Sequence, residues 1–245
     1  MSFLNRAVPL AVVLTLLPLA ITGGCAYKSA DGVTIENAEA LEAGVLAVDV
    51  ENVRGSVEVW AQPSVKVPTV EAIRLDGAPG DKPYTFVASQ LVGGEHGAIL
   101  RVVSADRADA AAPPMLLRVR VPACDGLRIR TNGGTVLASN VGGAITIDTS
   151  GKDVTTTGVR VTANRPIAEP VRIHCASGDV HVTIPTLSEV AVNLDASGNS
   201  KLMTSSTRVK VTKVTMKRIE ASVGSGTAPM EIRAERGNVR VLVED

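Results

Sequence analysis

Along most of the chain, apolar and polar residues alternate one by one. In the stretch "VLAVDVENVRGSVEVW", Leu46, Val48 and Val50 fall on one face of a strand, while Asp49 falls on the other. Apolar positions that recur every second residue are typical of a β-strand with one buried face. No segment keeps an apolar period of 3.6 residues, so we predict an all-β protein with almost no helix.

The second half of the chain repeats one unit, which consists of an alternating strand, a few small or polar residues, a glycine and a second strand. "VRIHCASGDVHVTI" and "MEIRAERGNVRVLV" are two copies. Gly158, Gly178 and Gly198 are spaced by 20 residues. The glycines expected at the corners of these units are Gly55, Gly134, Gly151, Gly178, Gly198 and Gly237.

A period near 20 residues with glycine corners is typical of a β-solenoid, whose coils bury their inward residues against one another. We therefore predict a right-handed, β-helix-like solenoid, with some antiparallel pairing in the N-terminal half. The alternative architecture is a β-sandwich. A single domain is expected over residues 34–245.

The first 24 residues are expected to lie outside that domain. "MSFLNR" carries one arginine, and an apolar run of about 15 residues follows, which is short for a membrane-spanning helix of about 20 residues. A positive start, a short apolar core and small residues are typical of an export signal. Residues 25–33 are then a short tether.

The signal ends on a cysteine. Ile21-Thr22-Gly23-Gly24-Cys25 resembles the lipobox of bacterial lipoproteins, although Thr22 replaces the usual leucine. The resemblance implies cleavage between Gly24 and Cys25, lipid on Cys25 and attachment to a membrane through that lipid. Ala26, where an aspartate would favour the inner membrane, favours the outer membrane. The alternative is an ordinary signal peptide.

Composition narrows the range of partners. The chain has 25 basic and 25 acidic residues, and this balance gives no support for nucleic acid as a partner. Aromatic residues make up only 2% of the chain. A long groove that stacks sugars on aromatic rings is therefore not expected.

Histidine and cysteine cluster in "RIHCASGDVHV". Alternation places Cys175 inward and His174, Asp179 and His181 outward. In a hairpin the two histidines would be neighbours, but two ligands are fewer than a zinc site needs, and at a solenoid corner even that pairing disappears. We predict surface histidines, no metal and no cofactor.

Two further cysteine and lysine features have open interpretations. An exported protein permits a disulfide between Cys124 and Cys175, and the alternative is two separate thiols with Cys175 packed inward. The basic run "RVKVTKVTMKR" is either the solvated face of a strand or a contact for an anionic envelope polymer or lipid head group. Its alternation slips near Thr212, which predicts a bulge.

"RVRVPACDGLRIRTNGGTV", "SGDVHVTIP" and "VGSGTAPMEIRAERGNVRVLVED" combine strands, prolines after strands and glycine corners. In this spacing, residues Val45 to Asp245 resemble the bacterial domain-of-unknown-function family labelled "putative adhesin". The resemblance implies a solenoid-like, exported or lipid-anchored protein, and the family has no agreed catalytic residues.

These observations favour a non-catalytic lipoprotein of the cell envelope, an adhesin-like solenoid that acts as a contact, scaffold or binding module for an envelope polymer or protein. The alternatives are a carbohydrate-active enzyme on a β-helix scaffold and a metal-binding or redox protein. No catalytic residue is predicted.

Overall fold

A computed structural model describes residues 26–28, 46–74, 85–94, 97–106, 114–151 and 158–245. Every regular element in these ranges is a β-strand, and they contain no helix, so the all-β prediction is confirmed. The strands are β1 (Ala26–Lys28), β2 (Leu46–Asn52), β3 (Gly55–Ala61), β4 (Thr69–Arg74), β5 (Thr85–Gly94), β6 (Gly97–Asp106), β7 (Met115–Val121), β8 (Asp125–Thr131), β9 (Thr135–Thr149), β10 (Gly158–Ala163), β11 (Val171–Cys175), β12 (Asp179–Pro185), β13 (Val190–Ala196), β14 (Ser200–Thr204), β15 (Val209–Val214), β16 (Arg218–Val223), β17 (Ala228–Ala234) and β18 (Val239–Glu244).

The strands form two sheets. Sheet A has the order β1-β5-β6-β2-β8-β9-β11-β17-β13-β16-β15. Sheet B has the order β4-β7-β3-β9-β10-β12-β18-β14. Strand β9 belongs to both sheets, because it bends where Asn140 and Gly143 adopt positive φ angles of 61° and 68°.

The chain repeatedly passes from a sheet A strand through a short connection to a sheet B strand. We call each such pair a coil; the coils are β2–β3, β6–β7, β8–β9, β9–β10, β11–β12, β13–β14 and β17–β18. Neighbouring coils pair in parallel in both sheets. Ile129, Ile147 and Ile173 therefore lie at one level on successive strands of sheet A.

The order of the coils in space departs from their order in sequence at both ends. Coil β6–β7 lies outside β2–β3, and coil β17–β18 is inserted between β11–β12 and β13–β14. Antiparallel strands flank the stack at both ends, namely β4 and β5 at one end and β15 and β16 at the other. The expectation of antiparallel pairing in the N-terminal half was thus too narrow.

One core lies between the sheets. It contains the alternate valine, isoleucine, leucine and alanine residues of both sheets, and no aromatic side chain is among the described residues of this cluster. Burial of each aliphatic side chain of this size contributes about 1.5–3 kcal/mol. Small aliphatic residues suit the core because each must fit between the residues at the same level one strand above and below.

Sheet A extends two strands beyond the last strand of sheet B. Val211 and Val214 lie on the inward side of β15, where they pair with the buried Ala221 and Ile219. Since no described strand of sheet B faces them, they are 50% and 68% exposed. The register of β15 shifts between Val211 and Lys213, which confirms the bulge predicted near Thr212.

The predicted corner glycines all lie where a sheet A strand passes to sheet B. At Gly55 and Gly134 the backbone requires glycine, because φ is 115° and 78°. A Cβ atom at Gly55 would lie 2.2 Å from the carbonyl oxygen of Met115, and one at Gly134 would lie 2.3 Å from the carbonyl carbon of Gly55. Gly151, Gly178, Gly198 and Gly237 occupy the other corners.

We expect Gly134→Ala to destabilise the protein by about 1–3 kcal/mol, because it combines a left-handed backbone with a steric clash. The matched control is Gly142→Ala, where the nearest atom to a Cβ, the carbonyl oxygen of Cys124, lies at 3.7 Å. Urea unfolding followed through the single tryptophan, Trp60, measures both. Equal midpoints for Gly134→Ala and wild type would show that the corner does not require glycine.

Candidate functional site

The register of the coils decides which outward side chains are neighbours. Residues that pair across adjacent strands point to the same side, so outward residues form rows that cross the strands. Neighbouring strands lie about 4.8 Å apart, which brings charges at one level within reach of each other. The charges of these outward residues are arranged differently on the two sheets.

On sheet A, acids and bases are interspersed along the rows. One row contains Glu51, Arg130, Asp148, His174, Arg233, Asp195 and Arg218 on successive strands. In the adjacent row, Arg172 Nε lies 3.8 Å from Glu231 Oε2, and Arg128 Nη1 lies 3.7 Å from Asp49 Oδ2. The charges of this face are largely balanced by their own neighbours.

His174 lies in the middle of the sheet A face. Its Nδ1 is 3.0 Å from Asp148 Oδ1, and its Nε2 is 3.1 Å from Glu235 Oε1. His181 is on β12 in sheet B, so the two histidines are not neighbours and the hairpin alternative does not hold. The described residues contain no cluster of three or more histidine, cysteine or acidic side chains that could hold a metal ion.

On sheet B, the N-terminal half is also paired. Arg118 donates to Glu58 Oε2 at 2.8 Å and to Glu71 Oε2 at 3.2 Å, and Arg120 donates to Glu71 Oε1 at 3.1 Å. The hydrogen bond and the charge of Glu58, followed by those of Glu71, raise the pKa of Arg118. These acids are therefore engaged within the sheet.

The C-terminal half of sheet B differs. Arg160, His181, Arg240 and Lys201 lie at one level on β10, β12, β18 and β14. We call these four residues the basic row. Within the described part of the chain none of them forms an ion pair, and the only hydrogen bond of their side chains is from Arg240 Nε to Met203 Sδ at 3.1 Å.

Carboxylates on these four strands stand at the strand ends. Glu244 is the last residue of β18, and Asp179 is the first residue of β12. Asp179 Oδ1 accepts hydrogen bonds from the backbone nitrogen of Asn238 at 2.8 Å and from its Nδ2 at 3.0 Å. Asp179 is therefore engaged by the neighbouring corner, and none of the four strands has an acid at the level of the basic row. The acids at that level are Glu58 and Glu71 on β3 and β4, and both already pair with arginine in the N-terminal half of the sheet.

A groove of about 770 Å³ adjoins the basic row. Its charged lining consists of Arg160, His181, Asp179 and Glu58, and Leu116 and Leu137 give it an apolar floor. Gly158 has no side chain, which leaves a recess between Thr135 and Asp179 on the neighbouring strands. The groove continues across β7, β3 and β9, so the charged row and an apolar channel form one surface.

The basic run of the sequence lies elsewhere, at the far edge of sheet A. Lys213 Nζ is 3.5 Å from Glu220 Oε1, and Arg208 forms an ion pair with Glu189. Hydrogen bonds from Ser225, and then the charge of Arg208, hold the pKa of Glu189 below its usual range. Part of this run is thus already engaged by acids of its own sheet.

The basic row was missed by sequence reasoning because its members come from four strands distant in sequence. A weak signal exists. His181, Lys201 and Arg240 each follow a corner glycine by three residues, and Arg160 follows Gly158 by two. This shared distance from a glycine shows that the four residues form a row only when the pairing of their strands is known.

Of the two alternatives for Cys124 and Cys175, the structure has two separate thiols, and both are buried. Cys175 lies at the level of Thr149 and Thr131, and Thr131 is seven residues beyond Cys124. At about 3.3 Å per residue the two levels are about 23 Å apart. A disulfide needs Cα atoms within about 7 Å, so register excludes the bridge.

No protein-family model and no curated protein sequence matches the chain. The fold is similar to the crystal structure of a "putative cell adhesion protein" from Clostridium sporogenes. The two share 10% sequence identity with a TM-score of 0.53, and the match covers 89% of this chain and 98% of the other. At this identity the likeness concerns the fold.

We expect both buried thiols to be unreactive in the native protein. Burial, followed by the charge of Asp125, raises the pKa of Cys124 to about 12, so its thiolate is scarce at neutral pH. Cys175 is fully buried and donates to the carbonyl oxygen of Ser177 at 3.1 Å. A chromogenic thiol reagent added to the native mature protein at pH 8 should therefore give no colour change.

The same protein unfolded in denaturant without reductant should react at both Cys124 and Cys175. Zero reactive thiols after unfolding would indicate a bridge and contradict the register of the coils. Rapid reaction of the folded protein would contradict the burial of these side chains.

Proposed function

We propose that this protein is a non-catalytic, adhesin-like contact module of the cell envelope, whose binding surface is the outer face of sheet B. The observation that carries this proposal is the basic row, which has no ion-pair partner in the described chain while the sheet A face pairs its own charges. An exposed set of like charges stores unfavourable repulsion, which a ligand of opposite charge relieves.

We further infer that the architecture is a β-solenoid in which each coil contributes one strand to each sheet. The parallel pairing of successive coils supports this inference, because the sheets of a typical β-sandwich are antiparallel. A rigid stack of coils suits a contact module, since its outward rows stay in place without a ligand. The likeness of the fold to that of the "putative cell adhesion protein" agrees with the same role.

Attachment to the membrane is proposed to occur through lipid on Cys25, in the outer membrane. Support comes from the apolar signal, the lipobox-like residues before Cys25 and the alanine after it. The signal, Gly24 and Cys25 lie outside the described residues. The described residues contain no helix long and apolar enough to cross a membrane.

The protein isolated from its cells should carry acyl chains on Cys25 as its first residue. Several chains hold a protein stably, at about 0.8 kcal/mol per buried CH₂, so high salt should not release it from membranes. Mass spectrometry of the mature amino terminus measures this directly. An unmodified Cys25, or a first residue elsewhere, would make the protein a soluble exported one.

Contact with the envelope is tested by sedimentation. The mature chain carrying Cys25→Ser, which has no lipid, should sediment with envelopes isolated from the producing cells. The variant Arg160→Ser/Arg240→Ser should lose most of this binding, because it removes two charges of the basic row. The matched control, Arg128→Ser/Arg172→Ser, removes two exposed arginines from sheet A and should sediment like wild type.

Wild-type protein that stays in the supernatant at low salt would contradict the contact function. Equal losses in the two double variants would show that binding follows net charge and not the outer face of sheet B.

A further inference from the structure

We propose that the ligand of the basic row is a linear polysaccharide that bears a carboxylate on successive sugars, lying across the strands β10, β12, β18 and β14. This inference rests on the contact function proposed above and names its ligand class. The argument depends on the spacing of the row, the donors that it presents and its distance from the membrane anchor.

The spacing of the row matches a polymer with one charge per sugar. Adjacent strands lie about 4.8 Å apart, so Arg160, His181, Arg240 and Lys201 span about 14 Å with a basic group at every step. A pyranose ring advances a polysaccharide by a similar distance. A polyuronate can therefore place successive carboxylates beside successive strands, which a single small anion cannot do.

The donors of the row suit carboxylates. An arginine guanidinium is planar and can hold both oxygens of one carboxylate, and Lys201 supplies a mobile ammonium. The contact with Met203 Sδ uses Nε of Arg240 and leaves its terminal nitrogens available. At the next level, Thr162 and Thr183 are paired across β10 and β12 and are partly exposed, so hydroxyl donors and acceptors lie beside the row for sugar hydroxyls.

The chemistry of the row disfavours other polymers. The four strands contain no phenylalanine, tyrosine or tryptophan, whereas neutral sugars and single-stranded nucleic acids are commonly held by stacking on such rings. A charged sugar can instead be held by ion pairs and hydrogen bonds. The apolar floor of the adjoining groove, at Leu116 and Leu137, can cover the apolar face of further rings.

Position along the stack disfavours the head groups of the protein's own membrane. Strand β1 begins at Ala26, directly after Cys25, and is the edge of sheet A. The coils that contain the basic row have their sheet A strands five to eight strand spacings from β1. Counted along sheet A, this places them about 24–38 Å from β1. The Debye length at physiological salt is about 8 Å, so the row lies beyond the electrostatic reach of the head groups immediately around the anchor.

The test is a binding titration of the full-length, lipidated protein in a non-ionic detergent. The probe is polygalacturonate, and its fully methyl-esterified form is the matched ligand with the same backbone and no charge. We expect polygalacturonate to bind at least tenfold more tightly than the ester. Arg160→Ser/Arg240→Ser should weaken binding at least tenfold, while Arg128→Ser/Arg172→Ser should change it less than twofold.

Salt provides an independent readout. Because each cation of the row that contacts the polymer releases counterions, the slope of log K against log salt should become less steep by about 1–2 in Arg160→Ser/Arg240→Ser. The control variant should keep the wild-type slope. Two further probes distinguish other anions: inorganic polyphosphate, and phosphatidylcholine vesicles containing phosphatidylglycerol. Both are expected to bind more weakly than polygalacturonate.

Equal binding of the ester, equal losses in the two double variants, or tighter row-dependent binding of polyphosphate or of the vesicles would overturn the proposal. If polygalacturonate fails to bind while isolated envelopes still sediment the protein through the basic row, the ligand class is wrong and the contact function stands. If both fail, the contact function is wrong as well.

Discussion

The structure depends on the in-register, parallel stacking of small aliphatic residues between the two sheets. In sheet A, Val50, Ile129, Ile147, Ile173 and Ile232 occupy one level on successive strands, and all are buried. A slip of one residue would turn these side chains outward and bring the charged rows into the core. The core therefore fixes the register, and the register in turn fixes which outward residues meet.

The rows of outward residues follow from this register, and the arrangement of their charges differs between the two sheets. In sheet A the register places acids next to bases, as at His174 between Asp148 and Glu235. Exposed pairs of this kind contribute little stability each, but they leave the face without a strong field. In the C-terminal half of sheet B the same register places four bases in line. The proposed contact surface lies there, because none of the described residues forms an ion pair with these four bases.

Alternation was sufficient to predict the strands and the side to which most residues point. The inward position of Cys175 and the outward position of Asp179 follow directly from the alternation, and so does the bulge near Thr212. Local chemistry decides these features, because a strand with one buried face must alternate. The repeated glycines also indicated where the chain turns from one sheet to the other.

Neighbour relations between strands could not be predicted in the same way. The period of the repeats suggests that successive coils stack in sequence order, yet β17–β18 is inserted between β11–β12 and β13–β14. Arg240 and Lys201 become neighbours only through that insertion. The separation of Cys124 from Cys175 likewise depends on how far along the strands each lies, which alternation does not specify.

The central claim is that register, set by the aliphatic core, aligns Arg160, His181, Arg240 and Lys201 into a site for a carboxylated polymer. A crystal structure of the protein with a short oligogalacturonate tests it most directly. The account predicts an oligosaccharide that crosses β10, β12, β18 and β14, with its carboxylates beside the two arginines and the lysine. A ligand bound on the outer face of sheet A, or strands whose register separates these four residues, would contradict it.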